Sequence, residues 1–264
     1  VIAFVILASC ASQKNSALKS DSAPSPDSRA DGSLSSGDLE ARTAFERLER
    51  DVAFYKSRYQ LPDVFQKLVN DRGNGFESLY GVRNFREVLS AVYYRGGANN
   101  RYHRRFPRNN MNPLPEDGLE NLCAEGFVTG LYFYEQNFKT AKPQTSCRNR
   151  STGEETQLDY AQITAFSIKD FSPFLQIIYD RIKGKVKGPI YGHCWNGWHA
   201  SGLMATIALK QFCDFSNSQA DDYWVRNTDG NSKGHESLRR KIQNFVPIPG
   251  LSISEAEKKL ICPR

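Results

Sequence analysis

Residues 187–213 read KGPIYGHCWNGWHASGLMATIALKQFC, and the order of the parts is strand, loop, helix. Lys187, Gly188 and Pro189 signal a turn, and Ile190, Tyr191, Gly192 and His193 form a short run of strand length. Gly197 sits in a loop that must turn sharply. From about Ser201 the apolar residues Leu203, Met204, Ile207, Ala208 and Phe212 recur at helical spacing, as a buried central helix requires. Cys194 therefore stands between a histidine and the N-terminus of a helix. The first amides of a helix have no partner inside it and favour an anion.

The run His193-Cys194-Trp195-Asn196-Gly197-Trp198-His199-Ala200-Ser201-Gly202 resembles the signature loop of cysteine-dependent protein tyrosine and dual-specificity phosphatases. That loop runs His-Cys, two residues, Gly, two residues, Arg, then Ser or Thr and often Gly. The resemblance implies that residues 193–201 bind phosphate, with Cys194 as the nucleophile that forms a phosphocysteine. It also implies that the Ser201 hydroxyl helps the thiol leave and that His193 holds the loop. One position departs: Ala200 stands where the family has arginine. The planar guanidinium grips two equatorial oxygens of the phosphoryl group as charge develops, which a methyl group cannot do. Losing one preorganised donor costs roughly 3 to 4 kcal/mol of transition-state stabilisation, and a bidentate cation should cost at least that. Substitute cations are sought at His199, if its pKa is raised, and among Arg101, Arg104, Arg105 and Arg108.

Two earlier stretches carry the same resemblance. Asn84-Phe85-Arg86 and Tyr94-Arg95-Gly96-Gly97 are similar to the opening strand pair of dual-specificity-like enzymes. In that family a later loop carries an aspartate that protonates the leaving oxygen. Asp170 is the candidate here and Asp159 the reserve, although Asp170 also suits a helix cap. The implied fold is α/β: a central, mostly parallel sheet flanked by helices, dual-specificity-phosphatase-like, with extra N- and C-terminal helices.

The 264 residues are 39% apolar and 12% aromatic, enough for one sizeable packed domain with tails. A formal charge of +6 is scattered among acids, so nucleic acid is not an expected partner. Residues 1–8 are apolar but too short to span a bilayer, and Leu7-Ala8-Ser9-Cys10 resembles a bacterial lipobox. This implies a lipoprotein signal peptide over residues 1–10, with Cys10 as the lipid-bearing residue. Residues 11–38, rich in Ser, Ala, Asp, Gly and Pro, read as a flexible tether. The phosphatase-like domain is expected over 39–264, its core about 77–212. The expected location is the cell envelope, anchored to the outer membrane and facing the periplasm. Export changes the cysteine count, because five of the six cysteines remain once Cys10 carries lipid. The simplest pairing leaves Cys194 free, for instance Cys123 with Cys147 and Cys213 with Cys262, and the sequence alone leaves that connectivity open.

Elsewhere the periodicity predicts a helix over 38–59 and a short one over 62–70. A helix over 115–126 has Asp117 as a cap, and a strand follows over 127–134. Residues 138–155 read as an exposed loop, 158–166 as a strand and 173–183 as a helix. Short helices follow over 220–226, 235–245 and 254–260, with Ser216 and Gln219 as a capping box. RYHRRFPRNN at 101–110 reads as a solvated basic loop with His103 exposed. His193, Cys194 and His199 lie close in sequence, but a metal would need further ligands from elsewhere, so neither a metal nor another cofactor is expected. Three functions remain open: a phosphatase-like protein that binds a phosphorylated or other anionic ligand with weakened or absent turnover, an active phosphomonoesterase with a substitute cation, and a structural envelope lipoprotein. Ala200 argues against the second, whereas Cys194, Gly197 and Ser201 argue against the third.

Overall fold

The computed structural model describes residues 36–105, 107–111, 113–165 and 171–263. Cys10, the signal-like segment, nearly all of the tether and Asp170 lie outside the described residues. Six strands are described: β1 (Val82–Leu89), β2 (Tyr93–Ala98), β3 (Thr129–Tyr132), β4 (Gln144–Arg148), β5 (Glu155–Gln162) and β6 (Ile190–Cys194). They form one sheet in the order β1-β2-β6-β3-β5-β4. The inner pairings β2–β6, β6–β3 and β3–β5 are parallel, while the edge pairs β1–β2 and β5–β4 are antiparallel. The helices are α1 (Ser36–Tyr59), α2 (Glu116–Ala124), α3 (Phe171–Ile182), α4 (Ala200–Phe212), α5 (Asn217–Arg226), α6 (Glu236–Asn244) and α7 (Glu255–Ile261). The expected α/β class, with a mostly parallel sheet and added helices at both ends, is the observed one.

Residues 187–213 supply the central strand β6 and the core helix α4. Every residue of β6 is buried, as suits a strand with neighbours on both sides and cover on both faces. Every residue of α4 is buried too, including Lys210, whose ammonium donates to Asn217 Oδ1 and to the carbonyls of Ile242 and Phe245. Those last two bonds fasten α6 to the core helix. At the other end, α1 buries Ala44, Leu48, Val52, Tyr55 and Tyr59, spaced three and four apart. Glu125 anchors it, accepting from Arg58 at 2.8 Å and from Arg150 at 3.2 Å.

Several expectations need correction. Residues 62–70 form no helix: the Asp63 carboxylate accepts from the amides of Phe65 and Gln66, and Val69 bridges to Phe85. The loop expected over 138–155 contains β4, a polar edge strand whose ladder with β5 no local signal announces. Pro115, not Asp117, occupies the N-cap of α2. The Asp117 carboxylate instead lies 2.9 Å from Nε2 of His103, which is buried rather than exposed. Among the described residues the disulfides are Cys123–Cys147 and Cys213–Cys262, leaving Cys194 free. The Ser216–Gln219 capping box is formed, and a second, Ser254 with Glu257, opens α7.

Candidate functional site

Three short motifs, far apart in sequence, meet at the loop 195–199. Cys194 ends β6 and is 5% exposed, with Sγ 3.4 Å from Oγ of the fully buried Ser201 in the first turn of α4. Gly197 turns the loop with φ of 78°, and a Cβ there would lie 2.6 Å from the carbonyl carbon of Gly96. The contact is reciprocal, because a Cβ on Gly97 would lie 2.5 Å from the carbonyl carbon of Asn196. The Tyr-Arg-Gly-Gly strand and the cysteine loop thus pack backbone against backbone, which only glycine permits. Asn84, at φ of 51° in the irregular middle of β1, donates from Nδ2 to the Asn196 carbonyl at 2.7 Å.

The scaffold holds the loop by its carbonyls. His193 Nδ1 lies 3.0 Å from the Cys194 carbonyl, and the Ala98 amide donates to Trp195 O at 3.1 Å. Asn84 takes Asn196 O, and Arg95 Nη2 donates to Gly197 O and, at 3.5 Å, to Trp198 O. Trp224 Nε1 and the Leu203 amide take His199 O. With its carbonyls drawn outward, the loop retains donors: the N–H groups of residues 196–199 have no acceptor among the described residues. Successive amides around a left-handed residue at a helix N-terminus make an anion-binding concavity.

His193 is completely buried, and burial pushes its pKa down to about 4. Its neutral ring carries the proton on Nδ1, bonded to the Cys194 carbonyl, and Nε2 accepts from the Tyr160 hydroxyl at 2.7 Å. The Tyr160 oxygen in turn accepts from the Leu114 amide. The Trp195 indole donates to the Tyr132 hydroxyl at 2.8 Å and packs on Tyr134 with ring centroids 4.0 Å apart. Trp198 donates to Asp229, whose carboxyl is held below its usual range, against burial, by Lys67 and Arg86. His199 donates from Nε2 to the Asn231 carbonyl at 2.7 Å and stacks on His235 with centroids 3.7 Å apart. Burial lowers the His199 pKa, and the neighbouring His235 and Arg95 lower it further. His199 is therefore not the raised-pKa cation that the sequence suggested.

A cavity of about 440 Å³ opens over Cys194, bordered by Trp195, Asn196, His199 and Ala200 of the loop, Tyr134 and Ala165 beyond β3 and β5, and His235, Ser237, Leu238 and Lys241 at α6. Ala200, at the position where the resembled loop has arginine, is a wall residue of this cavity. None of Arg101, Arg104, Arg105 and Arg108 borders this cavity. Arg104 pairs with Glu77 and lies over the Tyr80 ring, while Arg105 and Arg108 border a different depression with Asp117 and Glu120. Asp159, the reserve acid, accepts from Gln144 and Gln157 and does not border the cavity. No carboxylate borders it among the described residues, and no group of His, Cys, Asp or Glu among them could hold a metal.

Sequence reasoning missed the loop's supports. Buried Arg83 donates to Asn110 Oδ1 at 2.7 Å, and Asn110 Nδ2 donates to Asn196 Oδ1 at 2.8 Å. Burial lowers the Arg83 pKa, and the charge Cys194 can carry opposes that. The asparagine in each partner motif was the available signal.

No family model matches the chain, and no curated protein does. Among solved structures the chain is similar to the core catalytic domain of the PP-IP phosphatase SIW14 from S. cerevisiae, in complex with citrate, at 18% identity. The TM-score is 0.38, over 62% of this chain and 86% of that one. A candidate phosphatase (DUF442) from Shewanella putrefaciens gives 13% identity and a TM-score of 0.38, over 63% of this chain and 95% of that one. The protein tyrosine phosphatase TbPTP1 of Trypanosoma brucei gives 9% identity and a TM-score of 0.36, over 83% of this chain and 90% of that one.

Proposed function

We propose that the Cys194 loop binds a phosphoryl or similar anionic group and turns it over weakly or not at all. The observation that carries this is the loop's polarity: its carbonyls are bonded to the scaffold, while the amides of residues 196–199 keep their donors beside Cys194. Ser201 lies within reach of the nucleophile, and the cavity admits a ligand to it. Ala200 removes the bidentate cation that would stabilise charge in the transition state more than in the ground state, so binding survives better than rate. Asp170 is the proposed proton donor for whatever turnover remains. The lipobox-like Leu7-Ala8-Ser9-Cys10 supports a lipid-anchored place in the envelope on the same footing.

A time course of phosphate release from an aryl phosphate tests the reading. The parent and Cys194→Ser should both stay near background, and Ala200→Arg should raise release at least about a hundredfold by restoring the missing donor. Vigorous turnover in the parent that vanishes in Cys194→Ser overturns it in favour of an active enzyme.

A further inference from the structure

Ala200 leaves a bound anion without a cation in the loop itself, yet the strands beneath the loop bury three arginines. Arg83 and Arg86 of β1 and Arg95 of β2 are each 3% exposed or less. Arg86 is neutralised by Asp229 at 2.9 Å. Arg83 and Arg95 form no ion pair among the described residues, and Nε of each, with Nη1 of Arg95, lacks a hydrogen-bond partner among them. Burying a charge without an opposite one is costly, so two such charges under one loop favour an anion on it.

Both guanidinium groups reach the loop through amides. Arg95 Nη2 donates to the carbonyls of Gly197 and Trp198, which share peptide groups with the amides of Trp198 and His199. In a trans peptide the C=O and N–H point opposite ways, so a cation on the oxygen leaves the N–H facing away from it. Those two N–H groups are among the donors the loop retains. Arg83 acts along side chains: its Nη2 donates to Asn110 Oδ1 at 2.7 Å, and Asn110 Nδ2 donates to Asn196 Oδ1 at 2.8 Å. Asn196 borders the cavity over Cys194, and Arg83 feels the charge that Cys194 can carry. A chain of amides that begins at a cation is polarised in one sense, which strengthens its last N–H as a donor to an anion.

We infer that Arg95 and Arg83, from behind the loop and through its amides, supply the counter-charge for the bound anion and make the site selective for dianionic tetrahedral groups. This rests on the proposed anion-binding role of the loop and names its cations. Both are positioning residues, since neither borders the cavity. Fixed behind the backbone, they cannot close on equatorial oxygens as charge develops, so they favour bound anion and transition state alike and support affinity rather than rate.

The test is the affinity of the purified protein for sulfate and for methanesulfonate, a tetrahedral group with one charge fewer, measured by calorimetry at a single pH. The parent should bind sulfate more tightly, because Coulomb attraction scales with the ligand's charge. Arg95→Gln and Arg83→Gln, which keep a donor and remove the cation, should each weaken sulfate about tenfold and methanesulfonate less, so that the preference shrinks. Arg95→Lys should keep the preference. Thermal melts establish which variants are folded, and if one glutamine variant is not, the other carries the same prediction. A purely structural role would weaken both anions by one factor and leave their ratio unchanged, and that result in a folded glutamine variant overturns the inference. So does a parent that binds the two anions equally, a result needing no variant at all, while the loop reading stands. If the parent binds neither anion, both fail.

Discussion

His193 shows how one side chain can be structural and still govern the loop. Its ring is sealed between the Cys194 carbonyl and the Tyr160 hydroxyl, with its pKa pushed down to about 4 by burial. An unfolded chain binds a proton at this ring near pH 6.5, whereas the folded protein resists until about 4. Protonation in that window therefore favours unfolding: the stability is complete above pH 6.5, declines as the pH falls and levels off below 4. Denaturant titrations at pH 7 and pH 4.5 should show the parent losing about 2 kcal/mol more than a His193→Gln variant. Equal losses in the two proteins would mean that the ring takes up its proton in the folded state. The same residue illustrates the limits of pattern. The His-Cys pair is legible in sequence, but the Tyr160 that fixes the tautomer comes from β5, more than thirty residues away, and carries no local mark.

At the scale of elements, the site is an intersection of two strands and a turn. Gly97 is not in a left-handed conformation, so alanine there tests close approach without backbone strain. The added Cβ would fall 2.5 Å from Asn196 C, 2.6 Å from Gly197 N and 2.7 Å from Trp195 O, all backbone atoms that cannot swing aside. Gly97→Ala should cost about 1 to 3 kcal/mol in a thermal or chemical melt, as overpacking does, and should weaken phosphate binding by displacing the amides. An unchanged melt would show that loop and strand have room to separate. The elements themselves were legible wherever periodicity was strong and burial continuous, as in α1, β6 and α4. They were illegible where partners decide: β4 is polar and exists through its ladder with β5, and His103 is buried because Asp117 reaches it. Helix α6 shows the same limit at the site, for it was expected as a helix, but the bond from Lys210 to the Ile242 carbonyl that ties it to α4 joins residues 32 apart and has no local mark.

Across the whole molecule, the cysteines tie the site's chemistry to where the protein is made. Four of the six are joined, one bridge tying α2 to β4 across 24 residues and the other tying the end of α4 to the chain beyond α7 across 49. Loop-closure entropy gives these bridges about 3 and about 4 kcal/mol, so reduction should lower the melting temperature markedly. Such bridges persist in an oxidising compartment, which agrees with the proposed envelope location, and they keep Cys194 from being consumed as a partner. Thiol titration of the full chain, denatured without reductant after isolation from its native membranes, then separates three histories. One free thiol, at Cys194, is the expected count if Cys10 carries lipid. Two would mean an exported protein with Cys10 unmodified, which would remove the anchor but leave the fold and its bridges. Six would place the protein in a reducing compartment and overturn the envelope proposal together with both disulfides, while leaving the geometry of the Cys194 loop, which neither bridge touches, to be tested on its own.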